Sequence, residues 1–240
     1  GDPDLAKSVD LVRTLAGAGV DLIELGAPFS DPLADGPVIQ RAGQRSLAAG
    51  TNLPKVLESA AGLRSEGITT PFIVMTYYNV LLRFGLEAVA EEFRRSGVDG
   101  LIVVDLPPEE SEEFDRILAE REIALVYLAA PTTTDRRLDL IARLARGFLY
   151  YVSRTGVTGE QKDVASDLSM NLGRIRERTG IPAVVGFGVS NADQARHVAQ
   201  YADGVVIGSA IVKIIETSPE NKMRENVLQF LQPVLNVLHG

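Results

Sequence analysis

At 240 residues, 45% of them hydrophobic, the chain is long enough to bury a substantial core as one large domain or two small ones. A formal charge of −8 argues against nucleic acid or an anionic membrane as the main partner, while leaving a small phosphate within reach of local amides and helix N-termini. With no cysteine, disulfides, thiolate nucleophiles and zinc–thiolate sites are excluded. Only two histidines are present, His197 in a helical stretch and His239 next to the end, so proton chemistry falls to carboxylates or tyrosine.

In chain order, SVDLVRTLAGAG reads as a helix stopped by glycine, followed by a strand at Asp21–Gly26 (DLIELG). Further strands are expected at Pro71–Tyr77, Gly100–Leu106, Ala124–Ala130, Phe148–Arg154, Ala183–Gly188 and Gly204–Ala210. All are near-continuous apolar runs, as parallel strands covered on both faces require. Helices fit PVIQRAGQRSL, Leu53–Ser65, Leu86–Ser96, PPEESEEFDRILAERE, Thr132–Gly147, Leu168–Thr179, Asn191–Tyr201 and Asn221–Leu238. Strand and helix alternate about every 30 residues without a linker, which predicts a single α/β domain over residues 1–240. No glycine-rich dinucleotide or Walker loop follows an early strand, and polar residues gather after the strand C-termini. Both point to a (β/α)8 TIM barrel rather than an open doubly wound sheet. The runs number seven, and the chain opens on GDPD and a helix, so the first barrel strand is missing from this sequence. No run reaches the ~18–20 apolar residues of a membrane span, and GDPDLAKSVD does not resemble a signal peptide. The expected compartment is the cytoplasm.

Glu24 stands near the end of an apolar strand, where desolvation would raise its pKa and suit a general acid and base; a side chain reaching solvent or an ion pair is the alternative. The loop SDPLADGP carries Asp31 and Asp35. Asp31 suits a turn, and Asp35 either caps the helix from Pro37 or is held over a pocket by the proline-stiffened loop. Tyr77 and Tyr150 lie near strand ends, and line a pocket or pack in the core. GFG (Gly186–Gly188, with Phe187 between the glycines) and GSA (Gly208–Ala210) end the last two strands. Each presents backbone amides, and Ser209 adds a hydroxyl, as in the phosphate site of many barrels. SRTGVTGEQKD (Ser153–Asp163) reads as a mobile lid or an ordinary surface loop. No stretch has metal-ligand spacing, and the basic residues read as solvated helix faces.

Together IELGAPFSDPLADGPVIQ, PTTTD, YYVSRTGVTG, VGFGVS and DGVVIGSAIVK resemble the tryptophan synthase α-subunit family, in order over essentially the whole chain. The resemblance implies a carbon–carbon lyase of tryptophan biosynthesis. Such an enzyme cleaves indole-3-glycerol phosphate to indole and glyceraldehyde 3-phosphate in an α2β2 complex, passing indole to a β-subunit that carries pyridoxal phosphate. The α chain itself then needs no cofactor and no metal. By the same resemblance Glu24 is the general acid/base and Asp35 holds the indole N–H. Gly159, Gly188, Gly208 and Ser209 bind phosphate, Tyr150 lines the pocket, and Thr158 is a lid residue that closes onto the aspartate. Two departures stand out. Family members carry a short helix and a first strand before GDP; a chain without them would have an open seam, with impaired stability and weak catalysis. Val164-Ala165 also stands where a Leu-Pro is expected. Another phosphate-binding barrel isomerase, or a non-catalytic subunit that regulates a β partner, are the alternatives the residues leave open.

Overall fold

The computed structural model describes residues 1–153, 161–186 and 188–240, with the side chains of 161–167 left aside. Two compact units can be distinguished, residues 1–125 with 212–228 and residues 126–211 with 229–240.

In the first unit, α1 (Leu5–Ala18) is started by Asp4, whose side chain accepts from the Lys7 amide at 2.9 Å. It ends on Gly19, whose φ of 87° is a left-handed conformation that only glycine adopts without strain. There follow β1 (Ile23–Gly26), α2 (Pro37–Ala48), α3 (Leu53–Ser65), β2 (Phe72–Thr76), α4 (Tyr78–Phe84), α5 (Leu86–Arg95), β3 (Gly100–Val103), α6 (Glu112–Ala119) and β4 (Ala124–Val126), which ends at the unit boundary. Strands β1 to β4 form one sheet in sequence order, with parallel pairing in register Glu24↔Ile73 and Ile73↔Gly100. Phe72, Leu81, Phe93, Leu101 and Phe114 are buried in its core.

The second unit opens with β5 (Leu128–Ala129), then α7 (Asp135–Leu144), β6 (Leu149–Val152), α8 (Gln161–Thr179), β7 (Ala183–Gly186), α9 (Ala192–Ala199) and β8 (Gly204–Val206). Strands β5 to β8 are again parallel and in sequence order. Thr134 and Asn191 cap α7 and α9 through the amides of Arg137 and Gln194. Arg178 of α8 bridges Asp135 and Asp139 of α7 at 2.6 and 2.8 Å, an exposed ion pair between two helices where the sequence alone suggests only a solvated face. The last helices, α10 (Ser209–Thr217) and α11 (Met223–His239), each contribute to both units.

All seven expected strand runs contain strands, and among the described residues the count rises to eight because the run Ala124–Ala130 is divided at Tyr127. Residues 1–4, ahead of α1, contain no strand. Two helices differ from expectation. α8 starts at Gln161 rather than Leu168, and α4 occupies a stretch read as the strand end and a connection. Tyr77 therefore sits not in the strand but at the turn between β2 and α4, in extended conformation (φ −105°, ψ 148°). α4 has no cap of its own; Asp105, beyond the end of β3, accepts from the Tyr78 amide at 2.7 Å and starts the helix from a distance. Gly85 stops it after seven residues at φ 94°.

Candidate active site

β1 brings Glu24 into apolar company. Parallel pairing puts its side chain on the same face as those of Ile73 and Met75, with buried Ile102 one strand further. Its Oε1 is buried and has no hydrogen-bond partner among the described residues. Burial alone pushes the carboxyl up to about 7, with no opposing contribution, so near neutrality it both gives and accepts a proton. No ion pair among the described residues compensates this side chain, and its Oε1 is shut off from solvent although the residue as a whole is only partly covered.

Asp35 lies at the far end of the loop after β1. The loop leaves the sheet with the Ala27 amide on the Met75 carbonyl at 3.0 Å, and turns at Asp31 through a Leu33 amide to Asp31 carbonyl bond of 2.9 Å. Leu33, at its tip, is 95% exposed and contributes no packing that would hold the loop. The backbone of Asp35 is fixed instead, its amide on the Pro32 carbonyl at 3.2 Å and its carbonyl accepting from Gln40 Nε2 at 2.8 Å. Helix capping is not its role: the cap position of α2 is Gly36, which makes no side-chain cap, and Pro37 lacks the amide that would need one. The carboxylate turns to Tyr77 instead, whose hydroxyl donates to Oδ2 at 3.1 Å. Asp35 is half-buried; desolvation holds its carboxyl above the ordinary value, and the Tyr77 hydrogen bond pulls the other way. Thus Glu24 is desolvated without compensation, whereas Asp35 retains a donor that favours its ionised form.

Tyr77 is buried, and its ring packs on Phe29 with centroids 5.0 Å apart. Its hydroxyl is pushed up to about 12, mainly by desolvation, so the proton stays on oxygen.

In the second unit, Tyr150 lies in β6 between Leu128 and Val184 of the neighbouring strands. The register Gly186↔Val206 sets β7 and β8 side by side, so the segments carrying Gly188 and Gly208 leave the same edge of the sheet. Gly188 has φ 78°, and Gly208 and Ser209 are exposed at the start of α10. Open space surrounds the position a Gly208 Cβ would take, and the first amides of α10 have no carbonyl of their own helix to bond. Thr158, Gly159 and Phe187, together with most of the expected lid, lie outside the described residues; Gln161–Asp163 of that segment belong to α8.

Sequence reasoning missed Phe29, Gln40 and the Ala34 amide, which donates to the Tyr77 hydroxyl at 3.0 Å. A backbone amide and a glutamine on a helix carry no sequence signal. The aromatic Phe29 three residues after Gly26 offered one, as a ring placed to meet another at a strand end. Among the described residues no group of three or more acidic or histidine side chains is placed to hold a metal ion. No helix there is long and apolar enough to cross a membrane.

Parallel strands alternating with helices in both units, as in the solved barrels that the chain resembles, define a (β/α)8-barrel fold of the kind that carries enzymes. A family profile described as tryptophan synthase alpha chain matches residues 1–236, and the chain belongs to that family. The tryptophan synthase alpha chain of Geobacter sulfurreducens is 48% identical over 231 residues, covering 96% of this chain and 87% of that one. Among solved structures, the alpha chain from Legionella pneumophila matches with a TM-score of 0.91 at 34% identity, covering 100% of this chain and 88% of that one. A structure of the tryptophan synthase a2b2 complex from Pyrococcus furiosus matches with a TM-score of 0.90 at 37% identity, covering 98% and 94%.

Proposed function

We propose that the chain cleaves indole-3-glycerol phosphate to indole and glyceraldehyde 3-phosphate, with Glu24 as general acid and base and Asp35 as the carboxylate that holds the indole N–H. Membership of the alpha-chain family supports the reaction; the observation that supports the residue roles is the contrast between the two carboxyls. Carbon–carbon cleavage needs a proton delivered to carbon 3 of the ring, which makes the indole an electron sink. It also needs a proton removed from the adjacent glycerol hydroxyl, so that the bond breaks to an aldehyde and the electron pair restores the ring. One proton enters and one leaves, a task for a group poised near neutrality such as Glu24. Positive charge that develops at the ring nitrogen calls for a carboxylate that stays ionised, and the Tyr77 donor favours that state at Asp35.

Phosphate binding falls to Gly159, Gly188, Gly208 and Ser209, by amides and a hydroxyl, with Phe187 and Tyr150 as pocket walls and Thr158 as a lid residue. In this reading residues 1–240 act as a single domain in the cytoplasm. The chain itself takes no cofactor, pyridoxal phosphate belonging to a beta subunit with which it assembles. Release of glyceraldehyde 3-phosphate, measured with and without a beta subunit, tests the assignment. Turnover should fall below about a thousandth of the parent in Glu24→Gln and by roughly a hundredfold or more in Asp35→Asn. Turnover retained in Glu24→Gln would remove the acid/base role.

A further inference from the structure

Tyr77 is buried, joined to the loop that carries Asp35, and fixed by contacts that lining a pocket does not require. Its backbone is clamped on both sides: β2 ends at Thr76, and the next amide, that of Tyr78, is held by Asp105. The Tyr77 carbonyl accepts from the Val80 amide at 3.1 Å in the first turn of α4. Its ring is backed by Phe29, from the start of the same loop that ends in Asp35. The hydroxyl then makes two bonds of opposite sense, accepting from the Ala34 amide at 3.0 Å and donating to Asp35 Oδ2 at 3.1 Å.

We propose that Tyr77 is a positioning residue of the lyase reaction: through these two bonds it fixes the Asp35 carboxylate in one orientation and leaves Oδ1 free to accept the indole N–H. The inference rests on the function proposed above. Its polarity follows from the donors. Because the Ala34 amide already points at the tyrosine oxygen, the hydroxyl proton turns to the carboxylate, and a phenol in this environment does not give that proton up. Among the described residues no other side chain donates to the Asp35 carboxylate, and the exposed tip at Leu33 supplies no packing in its place. Asp105 and Asp35 are the charged groups that act on Tyr77, and both are acidic, which keeps the phenol neutral across the working range. Orientation of this kind accelerates a reaction because the acceptor need not be arranged when the ring is protonated.

Tyr77→Phe keeps the ring, its burial and its contact with Phe29, and removes the hydroxyl alone. In the chain with its beta subunit, kcat for indole-3-glycerol phosphate cleavage should fall about tenfold or more with KM within about twofold, as for loss of one charge-assisted hydrogen bond. The acid limb of the pH–rate profile should move to higher pH, since the donor that favoured ionised Asp35 is gone. Carbon-13 NMR of labelled aspartate in the free protein should show the Asp35 carboxyl titrating at higher pH in the variant. A rise in KM alone, with the acid limb and the Asp35 titration unmoved, would overturn the proposal and leave Tyr77 as a pocket wall. Failure of the functional reading gives a different pattern: no turnover in the parent, or turnover kept by Asp35→Asn. The NMR titration, which needs no substrate, still decides the contact in that case.

Discussion

The hydroxyl of Tyr150 occupies the space that a Cβ on Gly186 would need. The two residues lie on adjacent strands, β6 and β7, and the glycine is what lets the tyrosine lie across its neighbour's backbone. Gly186→Ala should therefore displace Tyr150 and overpack the sheet, lowering stability by about 1–3 kcal/mol. Urea unfolding of Gly186→Ala, Tyr150→Leu and the double variant checks the coupling. The double variant should recover most of the loss, and strictly additive losses would show that the two do not compete for space.

Asp105 acts on the site from another loop. It caps α4 from a distance through the Tyr78 amide, and so holds the residue next to Tyr77. Asp105→Ala should cost about 1 kcal/mol in stability and lower turnover, whereas Asp105→Asn keeps an acceptor and should recover most of both. Thermal unfolding together with product release separates these cases. Equal loss in the two variants would mean that the charge, not the cap, is what matters.

Elements with a periodic or capped signature were legible in the sequence. α3 falls on Leu53–Ser65 as expected, because Asn52 caps it and its apolar residues face one side. Every strand run was recognisable as a buried parallel strand. The division at Tyr127 and the helix at Tyr78–Phe84 were not, since both depend on partners distant in sequence: the Tyr127 carbonyl accepts from Tyr150, and α4 is started by Asp105. In the same way the sequence marked Glu24 as a carboxyl in apolar surroundings, whereas the orientation of Asp35 rests on a hydroxyl 42 residues away. Residue types and spacing reveal which groups are available for chemistry; which way they point is decided by the tertiary fold.

The two units share a device at the start of their strands. In the first, Asp99 precedes β3, accepts from the Phe72 amide at 2.8 Å, and is paired at 2.6 Å with Arg64. That guanidinium also donates to the carbonyls of Ile68, Thr70 and Gly97 and lies 4.0 Å above the Phe72 ring. In the second, Asp203 precedes β8, accepts from the Ala183 amide at 2.9 Å, and is paired with Arg176 at 3.1 Å. Arg64 serves three carbonyls besides its aspartate, whereas Arg176 is an exposed pair, so Arg64→Ala should cost about 2–4 kcal/mol and Arg176→Ala under about 1 kcal/mol. Lysine should not rescue position 64, because one ammonium cannot reproduce the fork. Denaturant midpoints measure the difference, and kcat per folded molecule should stay within about twofold in both. Equal losses would count against the carbonyl hub.

Glu24 ties stability to the chemistry. Its carboxyl titrates near 4.5 in water and at about 7 in the folded chain, raised by burial. Below pH 4.5 it is protonated in both the folded and unfolded states and contributes no penalty. As pH rises from about 4.5 to about 7 the unfolded chain ionises first, so the folded state loses stability across that window. Above it the loss is constant, at roughly 3 kcal/mol for a shift of this size. Glu24→Gln removes the titration, and the variant should be nearly as stable as the parent at pH 4 and clearly more stable at pH 8, while inactive. Chemical denaturation of both proteins across this range provides the test. A stability difference that does not change with pH would mean that Glu24 is ordinarily solvated, and the acid/base assignment would lose its physical basis. The rising difference would instead show that the fold gives up stability to keep an uncompensated carboxyl at the end of β1, as expected of a group held ready for proton transfer.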